Sequence, residues 1–174
     1  GNHAQAVAYA AMKRNIPAYI VMPRNAPKVK IQAVEGYNAK ITLCEPTLKA
    51  RRETLEKIAK KTGAYVVHPF NEPKVIAGQG TSAMEMIEDI GNLDAICAPI
   101  GGGGLMSGTC IAARSMLPNV RLFGAEPKGA DDAYQSLKKG KLIPQDNPNT
   151  ICDGLLTSMG CLLYTSDAAD DLRC

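Results

Sequence analysis

The residues best suited to chemistry in this chain are four consecutive glycines, Gly101–Gly104, in "DAICAPIGGGGLMSG". They stand between a run that reads as a buried strand and one that reads as a helix. Without Cβ atoms the backbone can turn inward there and aim several N–H groups at one point, beside a helix start whose partial positive charge favours an anion. A phosphate suits such a turn. The alternative is a turn that needs glycine only for close helix–sheet packing, and four in a row exceed that need. No GK[ST] follows, so a Walker-type triphosphate cradle is not indicated. A second glycine motif, "GQGTSA" at 78–83, matches G-x-G-x-x-A and opens a predicted helix, but it follows a Pro-containing loop instead of a strand. That context argues against dinucleotide binding.

The opening "GNHAQAVAYAAMK" offers a second place for an anion. Asn2 reads as an N-cap, and Ala4, Val7, Ala8, Ala11 and Met12 form a small apolar face. On residue types alone this is a capped core helix with His3 as a polar first-turn residue. A ligand with a phosphate at one end and a carboxylate or phenolate at the other would use both this helix start and the glycines.

Alternating helices and strands must position these residues. The periodicity predicts a helix over 2–15, a strand over 18–22, a helix over 27–37 opened by Pro27 and a strand over 40–44. A helix over 48–62 behind a Thr47 cap and a strand over 64–68 complete a first unit. The Pro- and Gly-rich run 69–80 reads as a crossover to a helix over about 78–90, a strand over 94–99, a helix over 105–116, a strand over 120–125 and a helix over 131–139. This order predicts an α/β fold of open parallel sheets with flanking helices and binding sites at the carboxyl ends of strands. The expected division is a small domain over 1–70 and part of a larger one over 71–160. The run "CLLYTSDAADDLRC" at 161–174 breaks the alternation and is expected to be a non-native tail.

Composition sets the class. The 174 residues are 45% hydrophobic and 21% charged with a net charge of +3, which is globular and argues against nucleic-acid or anionic-membrane partners. Six cysteines show no metal-ligand spacing and read as buried free thiols in a reducing cytosol, giving a cytoplasmic expectation. The uncharged run 95–113 imitates a membrane span, and Gly104 and Gly108 even form GxxxG. Four consecutive glycines would break such a helix.

"GNHAQ", "HPFNEP.VIAGQGT", "PIGGGGLMSG" and "GAEPKGADDAYQS", in that order, resemble the fold-type II pyridoxal-phosphate enzymes, in particular the serine racemase and serine/threonine dehydratase (threonine ammonia-lyase) family, over about 1–160. The resemblance implies the tryptophan synthase beta-like fold. It implies that Asn2 meets the cofactor's ring hydroxylate and that the amides of Gly1, Asn2 and His3 hold a substrate carboxylate. It also implies that Gly101, Gly102, Gly103, Gly104 and Leu105 hold the cofactor phosphate, with Phe70 and Gly154 near the ring. Glu126, the Ala130 carbonyl and Asp132 match the family's site for Mg²⁺ or Ca²⁺; the alternative is that Asp131 and Asp132 merely cap the next helix. Gln5 and Tyr37 align with residues near an ATP effector site. Nothing here matches the family's Schiff-base lysine segment, so the chain is expected to be an interior fragment, inactive alone, of an enzyme that acts on L-serine or L-threonine and forms a homodimer. The products expected are a 2-oxo acid with ammonia, or D-serine, and Phe70 leans towards the dehydratases. A non-catalytic module that binds a phosphate-bearing ligand is the other class.

Overall fold

The computed structural model describes residues 1–145, 148–158 and 160. The tail at 161–174 lies outside them. The chain divides into two compact units, Gly1–Val67 and one that begins at His68.

In the first unit, helix α1 spans Asn2–Lys13 and strand β1 spans Tyr19–Pro23. Helix α2 is Lys28–Gly36, strand β2 Lys40–Cys44 and helix α3 Leu48–Thr62. β1 and β2 pair in parallel, from Tyr19 opposite Lys40 to Pro23 opposite Cys44, so α2 is the crossover that parallel pairing demands. Ala8, Ile20, Met22 and Val34 form the core. Thr47 caps α3 as expected, its Oγ1 accepting from the Ala50 N–H at 3.1 Å, and Gly63 ends it in the left-handed region at φ 69°.

Two expectations fail in this unit. The N-cap of α1 is Gly1, whose carbonyl already accepts from the Gln5 N–H at 3.3 Å; Asn2 is therefore inside the helix and its side chain caps nothing. Residues 64–68 form no strand. Their alternation supplies propensity only, and no neighbour among the described residues completes a ladder with them, so Val66 and Val67 stay exposed.

In the second unit, helix α4 spans Pro73–Ile90, strand β3 Ala95–Pro99, helix α5 Gly104–Met116, strand β4 Arg121–Ala125 and helix α6 Asp132–Lys139. A single 3-10 turn follows at Asp153–Leu155. β3 and β4 pair in parallel, from Ala95 opposite Arg121 to Pro99 opposite Ala125. Ile76, Ile87, Ile96, Met106, Ala113 and Leu122 are among the buried core residues. α4 begins five residues before the expected 78, because Pro73 occupies the first helical turn, where a missing N–H costs nothing, and the Glu72 carboxylate faces the Lys74 N–H. "GQGTSA" therefore lies inside a helix, which removes the dinucleotide reading.

The two glycines of α4 differ in role. A Cβ on Gly80 would sit 2.8 Å from the Gly108 carbonyl oxygen, and one on Gly108 would meet the Ile76 carbonyl and the Gly80 nitrogen, so α4 and α5 touch backbone to backbone. Gly78 has open space. Cys44 and Cys110 are buried free thiols, whereas Cys97 and Cys152 are exposed. Strand alternation turns Cys97 away from the core formed by its neighbours Ile96 and Ala98. No helix among the described residues is long and apolar enough to cross a membrane.

Gly80→Ala or Gly108→Ala should destabilise the fold by about 1–3 kcal/mol through overpacking. Gly78→Ala should stabilise it by about 0.5–1 kcal/mol, as expected for glycine replaced within a helix. Urea unfolding midpoints of the three variants check the contrast.

Candidate functional site

The glycine turn begins where β3 ends. The Ile100 N–H still reaches the Ala125 carbonyl at 3.2 Å, and the Gly103 N–H then closes a turn onto the Ile100 carbonyl at 3.0 Å. Gly101 and Gly103 sit at φ 54° and 93°, where a side chain would be strained. Gly103 is the N-cap of α5, its carbonyl accepting from the Ser107 N–H at 2.9 Å, and no side chain caps this helix. Among the described residues, the N–H groups of Gly101, Gly102, Gly104, Leu105 and Met106 find no backbone acceptor. All but the half-buried Leu105 belong to buried residues.

Phe70 closes this turn on one side. A Cβ on Gly102 would run into its ring, and one on Gly104 would lie 2.8 Å from both its Cα and Cβ. On the other side the Leu155 methyl Cδ2 stands 3.1 Å from where a Gly101 Cβ would be, and the Gly154 carbonyl 3.8 Å. The Gly160 N–H donates to the Gly102 carbonyl at 3.3 Å. Phe70, Gly101–Gly104 and Gly154 therefore converge, although 84 positions separate Phe70 from Gly154.

The acidic residues gather at the start of α6. Glu126 accepts from the Ala133 N–H through Oε1 at 3.2 Å and from the Tyr134 N–H through Oε2 at 2.9 Å, so it caps α6 from outside. Burial raises its pKa; the two N–H bonds oppose this, and the charges of Asp132 and Asp131 add to it. Asp131 is the N-cap but makes no side-chain cap bond; its Oδ2 accepts from Gln135 Nε2 at 2.8 Å. Ala130 and Asp132 are buried. The Gly129 carbonyl before them accepts from both the Asn149 N–H and Gln145 Nε2, each at 2.9 Å. A pocket of about 270 Å³ beside them is lined by Ile100, Gly124, Glu126, Lys128, Asp131 and Tyr134.

In the first unit, Gly1, Asn2 and His3 form the start of α1, with Gly1 and Asn2 exposed. The His3 ring is not turned outward: its Nε2 lies 2.9 Å from the Val67 carbonyl. Burial lowers its pKa below 6.5, against the opposing effect of that hydrogen bond. Tyr37, at the C-cap of α2, packs edge-on against Tyr9, ring centroids 5.3 Å apart. Gln5 is one turn before Tyr9 on α1.

A family model described as "Pyridoxal-phosphate dependent enzyme" matches residues 1–172. The chain belongs to that family. It is 51% identical to a beta-hydroxyaspartate dehydratase of Paracoccus denitrificans (strain Pd 1222), over 94% of the chain and 52% of that protein. It is 48% identical to a serine racemase of Dictyostelium discoideum, over 94% of the chain and 51% of that protein. The structure of maize serine racemase superposes with a TM-score of 0.95 at 43% identity, covering 99% of this chain and 52% of that one. The chain thus spans about half the length of these relatives.

The glycine turn fits the phosphate of the family's cofactor. A backbone N–H kept from both water and partner costs about 1–3 kcal/mol, so several such groups at one turn favour an acceptor there. An anion accepting from them removes that cost. The Met106 N–H and the Leu155 wall were not legible in the sequence, because neither residue type carries a signal by itself.

His3 supplies a pH test. Its folded pKa is depressed, so the unfolded chain takes up the proton first; stability is full above about 6.5 and falls as pH drops through the folded value. Urea unfolding should give a lower midpoint at pH 5.5 than at pH 7.5, and His3→Gln, which keeps a donor for Val67, should narrow that difference. An equal difference in parent and variant would contradict it.

Proposed function

We propose that the protein containing this chain is a pyridoxal-phosphate-dependent ammonia-lyase that removes water from a small β-hydroxy amino acid, L-serine or L-threonine, releasing ammonia and a 2-oxo acid. The buried N–H groups of the Gly101–Met106 turn under Phe70 carry this reading, since they make an anion cradle with an aromatic wall. Pyridoxal phosphate, when bound, supplies the electron sink that acidifies the amino acid's α-hydrogen. Gly101, Gly102, Gly104, Leu105 and Met106 would donate to its phosphate, and Phe70 and Gly154 would flank its ring.

The start of α1 carries the first unit's share. The N–H groups of its first turn suit a substrate carboxylate, and Asn2, whose amide caps nothing, would meet the ring hydroxylate. Glu126 and Asp132 with the Ala130 carbonyl offer an all-oxygen donor set suited to Mg²⁺ or Ca²⁺. Each Glu126 oxygen spends one lone pair on a backbone N–H and keeps another. An ATP effector near Gln5 and Tyr37, a homodimer and a cytoplasmic location belong to the same proposal.

Racemisation of serine is the second reading, favoured by the identity to serine racemases. The segment alone should not turn over serine: every lysine is exposed except the half-buried Lys30, and none lies against the glycine turn. Borohydride should therefore trap no stoichiometric adduct on a single lysine of the isolated segment.

The complete subunit, loaded with cofactor and given L-serine or L-threonine, should release ammonia and 2-oxo acid in equal amounts. Gly102→Ala should weaken cofactor binding by at least about tenfold, because its methyl collides with the Phe70 ring. D-serine without 2-oxo acid would favour the second reading; neither product would contradict both.

A further inference from the structure

Phe70 stands against Gly102 and Gly104 of the turn. It also meets His68. The rings of His68 and Phe70 meet edge to face, centroids 4.7 Å apart and planes at 90°. Nδ1 of His68 also accepts from two backbone groups, the Asn71 N–H at 3.0 Å and the Phe70 N–H at 3.4 Å. An acceptor at Nδ1 requires the ring proton to be on Nε2. This arrangement folds 68–71 into a tight turn directly ahead of α4, with Glu72 as N-cap and Pro73 at its first turn.

The consequence falls on the cradle. Phe70 carries its Cα and Cβ against Gly104 and its ring against Gly102, and the ring edge Cε2 lies 3.1 Å from where a Gly160 Cβ would stand. Any rotation of the 68–71 backbone would swing that ring into or away from the glycines. Their N–H groups would then be either covered or opened to water. The turn itself has no side chain with which to resist, because its members are glycines.

We infer that His68 is a positioning residue for the anion cradle: by accepting two backbone N–H groups and packing on the Phe70 ring, it fixes the wall that sets the width of the Gly101–Gly104 turn. This rests on the phosphate reading above. Asparagine at 68 would present Oδ1 near the place of Nδ1 and keep the acceptor, whereas leucine would keep bulk and remove it.

The test compares His68→Asn and His68→Leu with the parent chain in two measurements. The first is the affinity for pyridoxal phosphate and for inorganic phosphate by titration. The second is the ring-current shift that Phe70 imposes on the Gly102 and Gly104 resonances in ligand-free protein. His68→Leu should weaken binding roughly two- to tenfold, the worth of one hydrogen bond, and move both glycine resonances towards their unshifted positions. His68→Asn should restore both readings to near the parent. Unchanged glycine shifts and affinity in His68→Leu would overturn the inference, as would an equal loss in His68→Asn. A parent that binds neither phosphate probe refutes the cradle reading, while the glycine shifts still decide whether His68 holds Phe70.

Discussion

A strand that ends in four glycines and restarts as a helix leaves several N–H groups of buried residues without a backbone acceptor among the described residues. That imbalance organises the second unit. Left-handed backbone at Gly101 and Gly103 makes the turn possible, and absent side chains at Gly102 and Gly104 let Phe70 press against it. A hydrophobic ring on one side and a row of N–H groups on the other is unfavourable unless an anion accepts from the donors. An anion site built this way would rest on the backbone, independent of any charged side chain.

The elements around the turn stand at the positions that such a site needs. α4 and α5 touch through Gly80 and Gly108, which brings the start of α4, and Phe70 just before it, down onto the start of α5. A larger residue at either glycine would lift that whole end. The return segment after α6 closes the opposite side through Leu155, Gly154 and Gly160. It is tied back at Gln145, whose carbonyl accepts from Ser158 Oγ at 3.0 Å and whose amide holds the Gly129 carbonyl. The glycine turn and the acidic start of α6 thus share one supporting segment.

Much of this was legible in the residues. The glycine tetrad announced a tight strand-to-helix turn, Thr47 announced the start of α3, and the strand–helix alternation announced parallel pairing. What stayed hidden depended on partners that sequence does not display. The alternation at 64–68 could not say whether a neighbouring strand would complete a ladder. Pro73 looked like loop because Gly78 and Gly80 follow it, yet one of those glycines serves a helix crossing whose other half is 28 positions away at Gly108. Asn2 resembled a cap, but the Gly1 carbonyl had already taken that place. Glu126, expected as a metal ligand, caps α6 from outside, a role set by a helix that starts six residues further on.

The donors proposed as an anion site are the N–H groups of Gly101, Gly102, Gly104, Leu105 and Met106, which have no backbone acceptor among the described residues. Amide resonances of the chain followed through a titration with inorganic phosphate test that proposal most directly. The account predicts saturable shifts concentrated at Gly101, Gly102, Gly104, Leu105 and Met106, with chloride at equal ionic strength leaving them in place. Shifts spread over the exposed lysines, or none at the turn, would contradict it.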